Sequence, residues 1–165
     1  MVKEMRKLLL TMTVVLLLGG VTVYAAEDDN VYDDAGLLTD AEIEALNEKI
    51  NDLEAESGWN VYAVTTDDTM GRSATAYADD FFDEYSPEQE DGVTLLIDMD
   101  NREITISTCG EAIRYLTDTR IDYILDDAYT DVSNGDYGAC LMTMSDGVAS
   151  YYQKGIPEGQ YNYDT

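Results

Sequence analysis

The sequence predicts an α/β protein: a three-layer α/β/α sandwich around a small mixed β-sheet, preceded by a signal peptide. Three observations carry this. Trp59 to Thr66 and Val93 to Ile97 are apolar, aromatic or β-branched at nearly every position, as strands covered on both faces are. Around them lie segments with apolar residues at helical spacing and clear start and stop signals. The chain has 165 residues, 45% of them hydrophobic and 13 of them Tyr, enough for one domain with a real core.

The elements follow in order. Residues 1–25 read as an export signal. Lys3, Arg6 and Lys7 form a basic start, Leu8 to Leu18 an apolar run, and Val23-Tyr24-Ala25 a small-residue cleavage pattern. The alternative is an uncleaved N-terminal anchor, for which the run is short. Thr39 and Glu42 form a capping box for a first helix, in which Ile43, Leu46, Ile50 and Leu53 share one face and Gly58 is the stop. The strand Trp59 to Thr66 comes next. Ser73 caps a second helix carrying Tyr77, Ala78, Phe81, Phe82 and Tyr85, ended by Ser86-Pro87. Asp91-Gly92 leads into the strand Val93 to Ile97. Asp98 to Asn101 make a turn, and Glu103 to Ser107 return as a hairpin partner. Thr117 begins a helix that Asn134-Gly135 stops. Asp136 begins the last helix, and Gly155 and Pro157 end it. The expected order is α-β-α-β-β-α-α, with a domain over residues 30–153 and a polar tail over 154–165.

Composition excludes whole classes of function. The chain has no His, so a Ser-His-Asp or Cys-His catalyst and any His-ligated metal are ruled out. Nine bases against 35 acids give a formal charge of −26, which repels nucleic-acid phosphates. Such a surface suits cations or basic partners. Cys109 and Cys140 are the only thiols, and in an exported protein they permit one disulfide or remain two small buried residues.

Four segments resemble the TPM domain family, which takes in a thylakoid-lumen acid phosphatase and a photosystem II repair protein. They are Val31-Tyr32-Asp33-Asp34-Ala35-Gly36-Leu37-Leu38, Asp91-Gly92-Val93-Thr94-Leu95-Leu96-Ile97, Gly110-Glu111 with Leu116-Thr117-Asp118, and Asn134-Gly135-Asp136-Tyr137-Gly138. The resemblance implies an α/β/α sandwich, export, and acidic residues near one end of the sheet that hold divalent cations. Some members are acid phosphatases, and others are accessory or repair factors. Two departures stand out. The family's Gly-x-Gly appears here as Thr108-Cys109-Gly110, and the membrane helix and Gly-rich tail of many bacterial members are not seen before Thr165.

The candidate metal ligands are Asp33, Asp34, Asp91, Glu111 and Asp118, all beside strand or helix ends. Calcium is the expected ion and magnesium the alternative, because hard cations take several oxygen ligands. Each residue also has an ordinary reading: Asp33 as a turn-fixing group and Asp118 as a first-turn residue against the helix dipole. Asp67-Asp68 reads as a solvated loop. Asp98-x-Asp100-Asn101 lacks the Gly and closing Glu of an EF-hand and reads as a hairpin turn. Tyr115, Tyr123, Tyr129 and Tyr137 read as packing before binding, and Arg114 and Arg120 as partners of nearby acids.

Two functions fit. One is an exported, divalent-cation-binding interaction or accessory domain of the cell envelope, with a protein partner and no nucleic acid. The other is a metal-assisted acid phosphatase, for which the sequence assigns no catalytic residue.

Overall fold

A computed structural model describes residues 30–86 and 91–160. The expected export segment and the last five residues of the expected polar tail lie outside the described residues. The elements are β1 (Val31–Asp33), α1 (Asp40–Ser57), β2 (Asn60–Thr66), α2 (Ala74–Tyr85), β3 (Gly92–Asp98), β4 (Glu103–Cys109), α3 (Ala112–Tyr115), α4 (Asp118–Asn134) and α5 (Tyr137–Lys154). Among these residues no helix is long and apolar enough to cross a membrane.

Two elements correct the expected order. β1 precedes the first helix, and the single-turn α3 precedes α4. Three residues are too few to show a strand's alternation, so Val31-Tyr32-Asp33 carries no period of its own. β1 exists because β2 offers it an edge, with Val31 opposite Ala63 and Asp33 opposite Thr65.

The sheet runs in the order β1-β2-β3-β4. The first three strands are parallel, and β4 returns antiparallel to β3. Alternate residues of β2 and β3 face opposite layers. Val61, Ala63, Val93, Leu95 and Ile97 pack with Leu46, Ile50 and Leu53 of α1, Ile124 of α4 and Leu141, Met144 and Val148 of α5. Tyr62, Val64 and Leu96 pack with Ala74, Ala78, Phe81 and Phe82 of α2. The three-layer sandwich is thus α1, α4 and α5 on one side and α2 on the other.

This layering separates the thiols. Cys109 packs with the α2 layer and Cys140 with the α1 layer, so the sheet stands between them and no disulfide joins them. Burial pushes the Cys140 thiol up to about 12. The tyrosines divide. Tyr115 and Tyr152 meet the buried Trp59 edge-on at 5.2 and 5.0 Å, whereas Tyr123 and Tyr129 are exposed. Arg120 pairs with carbonyls rather than acids. It donates to Tyr115 O at 2.6 Å and Gly155 O at 2.8 Å, and lies over the Tyr151 ring.

Local signals acted where they were read. Thr39 and Glu42 form the reciprocal capping box of α1, and Gly58 ends the helix at φ 75°. The Thr39 amide, then its hydroxyl, hold the Glu42 carboxyl below its ordinary value. A carboxyl depressed in the folded state adds stability above its unfolded value, and loses it as pH falls through the folded one. Thr39→Ala is therefore expected to cost about 1 kcal/mol at neutral pH. Its deficit should shrink in acid, as urea melts from neutral pH downward would show. A deficit that stays constant with pH would mean that the box carries no charge-dependent stability.

Candidate functional site at the carboxyl edge of the sheet

The chain leaves β1 toward α1 on one face and leaves β2 toward α2 on the other. Both connections step the same way along the sheet, so they have opposite hands. Loops that diverge in this way leave a crevice at the carboxyl ends of the strands, the usual site position in an α/β fold. Here the crevice lies between residues 34–39 and 67–73.

Its wall is acidic. Asp33 ends β1, and its carboxylate accepts from Leu37 N and Leu38 N, each at 2.9 Å, and from the Thr65 hydroxyl. That arrangement fixes the entry to α1. Asp34 is exposed, and its amide donates to Thr65 O at 3.1 Å. Asp67 and Asp68 follow β2, and Asp68 accepts from Met70 N at 2.8 Å. Asp98 ends β3 fully buried, holding Asn101 through its amide at 2.9 Å and its side-chain nitrogen at 2.7 Å. Asn101 also donates to Arg72 O at 3.0 Å, which joins the two loops. Asp100 accepts from the buried Thr69 hydroxyl at 2.7 Å and amide at 3.2 Å. Those bonds, the hydroxyl first, hold its carboxyl below the ordinary value.

The five sequence candidates fall at two ends. Asp33 and Asp34 lie at this edge. Asp91 precedes Gly92, at the opposite end of β3, where its carboxylate accepts from Glu111 N at 2.6 Å. Seven residues of strand put about 20 Å between the ends, while ligands of one ion lie within about 5 Å of each other. Asp118 begins α4, whose far end reaches Asp98, so it too belongs to the Asp91 end. The structure thus puts Asp33 and Asp34 at one end of the sheet and Asp91, Glu111 and Asp118 at the other, so the five do not meet.

Asp67, Asp68 and Asp98 are the edge residues that sequence reasoning left in loops and turns. One signal was available, since each stands at or just after the carboxyl end of an expected strand. The donors at this edge are oxygens, which suits a hard cation. Among the described residues no three acidic or Cys side chains are placed to hold one metal ion as they stand. Asp34 and Asp67 make no side-chain hydrogen bond or ion pair among those residues, so both remain available as donors.

Comparison with known proteins agrees with this architecture. The chain is 35% identical over 144 residues to the UPF0603 protein YdjH of Bacillus subtilis, an alignment covering 87% of this chain. It spans about half the length of that relative, 55%. The fold is similar to the solution structure of the N-terminal domain of a P. gingivalis protein, with a TM-score of 0.70 at 18% identity, covering 84% of this chain and 91% of that one. It is also similar to the BA42 protein of Bizionia argentinensis, with a TM-score of 0.62 at 15% identity, covering 76% and 90%. The TPM domain profile matches residues 31–151, from β1 into α5. The chain belongs to the TPM domain family.

Proposed function

We propose that the protein is an exported domain of the cell envelope that binds a divalent cation, calcium before magnesium, and acts as an interaction or accessory module. The observation that supports this is the crevice between the diverging loops, where Asp33, Asp34, Asp67 and Asp68 lie at or just after the carboxyl ends of two adjacent strands. Like charges gathered at one edge repel, and a cation bound among them would relieve that repulsion. Asp33 would be a positioning ligand, already oriented by its three donors, while Asp34 and Asp67 would supply free carboxylates. The acidic surface around the crevice suits a basic protein partner.

A thermal melt in chelator, followed by a calcium or magnesium titration, tests the reading. The expected result is a saturable rise in melting temperature, because an ion that binds only the native state stabilises it by mass action. Asp34→Asn with Asp67→Asn should weaken the apparent affinity at least tenfold, while Asp118→Asn at the other end should leave it unchanged. An unsaturable rise shared by all variants is mere screening of an acidic surface, and would end the proposal.

One observation favours a second reading, a metal-assisted phosphomonoester hydrolase: Arg102 and the buried Asp98 line one cleft at this edge. A cation would supply the charge that polarises a phosphoryl oxygen. Turnover of p-nitrophenyl phosphate that needs the ion and is lost in the double variant would select this reading. No turnover with the ion saturating would select the binding module.

A further inference from the structure

The cleft beside the β3–β4 turn has a volume of about 370 Å3, at the small end of the range for small-ligand sites. Its apolar lining is Ile97, Met99, Ile104 and Val132, from the hairpin and the end of α4. Its polar lining is Arg102, Ser133, Tyr137 and Tyr129, the last 66% exposed, together with the acids Asp98 and Glu103.

Two independent features single out Arg102. Its φ is +58°, a left-handed conformation. Asp98 pairs with Glu103, so residues 99–102 form a four-residue hairpin loop, in which glycine or asparagine would hold the left-handed position without strain. In addition, Arg102 makes no ion pair or hydrogen bond among the described residues, although the chain carries 35 acids. An exposed arginine in a strained conformation, left unpaired beside a cleft of mixed polar and apolar lining in so acidic a chain, fits an anion supplied from outside.

We infer that this cleft binds a carboxylate attached to an apolar body about the size of one or two residues, held by Arg102 through its planar fork and by Tyr129 over the apolar part. A carboxylate fits better than a phosphomonoester. It matches the guanidinium fork with a single negative charge, whereas a phosphomonoester brings nearly two against Asp98 and Glu103, which line the same cleft. The inference goes beyond cation binding and does not rest on it. Two sources present this chemistry: a free small acid, or the C-terminus of a protein chain ending in an apolar residue.

The test is an amide NMR titration of the protein in chelator, so that its outcome is independent of any ion. The ligands are N-acetyl-phenylalanine, its amide, and a short peptide ending in phenylalanine with a free carboxylate. Saturable shifts confined to residues around Arg102, Tyr129 and Ser133 are expected, with the amide at least tenfold weaker. A peptide that binds more tightly than the single residue identifies a chain terminus, and equal affinity identifies a small acid. Arg102→Gly removes the charge and also relieves the strained φ, so it remains folded. It should weaken binding at least tenfold, while Arg102→Lys keeps part of it. Equal binding of acid and amide, no saturable shift with any ligand, or full binding by Arg102→Gly would overturn the assignment.

Discussion

Gly92→Ala is expected to cost about 3 kcal/mol, the upper end of ordinary overpacking. The φ of Gly92 is not left-handed, so the penalty is wholly steric. A Cβ at this position would collide with the Asn60 carbonyl oxygen and the Phe82 ring, with Phe82 Cζ at 2.6 Å. The ring is 4% exposed and locked among Tyr62, Phe81 and Leu96, and the carbonyl belongs to β2. Neither can swing aside as the end of a flexible side chain would. Domains of this size have about 5–15 kcal/mol of stability in total, so a fall in melting temperature of about 10 °C should accompany the substitution. Gly138→Ala provides the contrast. The atoms nearest its Cβ belong to the Glu42 side chain, with Cγ at 2.8 Å, so relief by rotation costs at most the Thr39–Glu42 box, about 1 kcal/mol. A Gly92→Ala protein with the melting temperature of the parent would show that the β2–β3 edge has slack that the packing does not suggest.

Asp33→Ala is expected to cost roughly 2–3 kcal/mol in chelator, with no ion present. The carboxylate serves two backbone amides at the entry to α1 and the Thr65 hydroxyl. Its loss orphans that hydroxyl in a residue that is fully buried, although Thr65 still accepts from Ala35 N at 3.2 Å. The helix would also lose the anchor that ties its start to β1. Asp33→Asn keeps one acceptor oxygen and should fall between the two. Urea denaturation of the three proteins, in chelator and in saturating calcium, separates the roles of this residue. A deficit of the same size in both conditions makes Asp33 a structural group alone. A larger deficit in calcium adds ion binding to the structural role. No deficit in chelator would refute the structural role that the geometry assigns.

Wherever a short stretch determines its own conformation, this protein was legible from its residues. The Thr39–Glu42 box, the Gly58 and Gly135 stops, the Ser73 cap and the two fully covered strands all depend on neighbours within a few positions, and each forms where those neighbours indicate. The three-layer class follows from their order, since strands apolar on both faces need cover on both. β1 was not legible, because three residues gain a strand's hydrogen bonds only when β2 lies alongside. The role of Gly92 was hidden too, because it depends on an aromatic ring ten residues back and a carbonyl on another strand.

The candidate site divides along the same line. Sequence alone named carboxylates as the candidate donors, since His is absent and acids are in large excess. Which carboxylates share a place was decided only by the tertiary structure. Asp33 and Asp91 each have a Gly within the next three residues and look alike in one dimension. Parallel pairing of β1, β2 and β3 puts the end of one strand at one edge and the start of another at the opposite edge. The same pairing places Asp67 and Asp98 at the same edge of the sheet as Asp33. Strand direction is a property of the sheet, and residue types do not encode it locally. A sequence can therefore name the donors, while the sheet decides which of them meet.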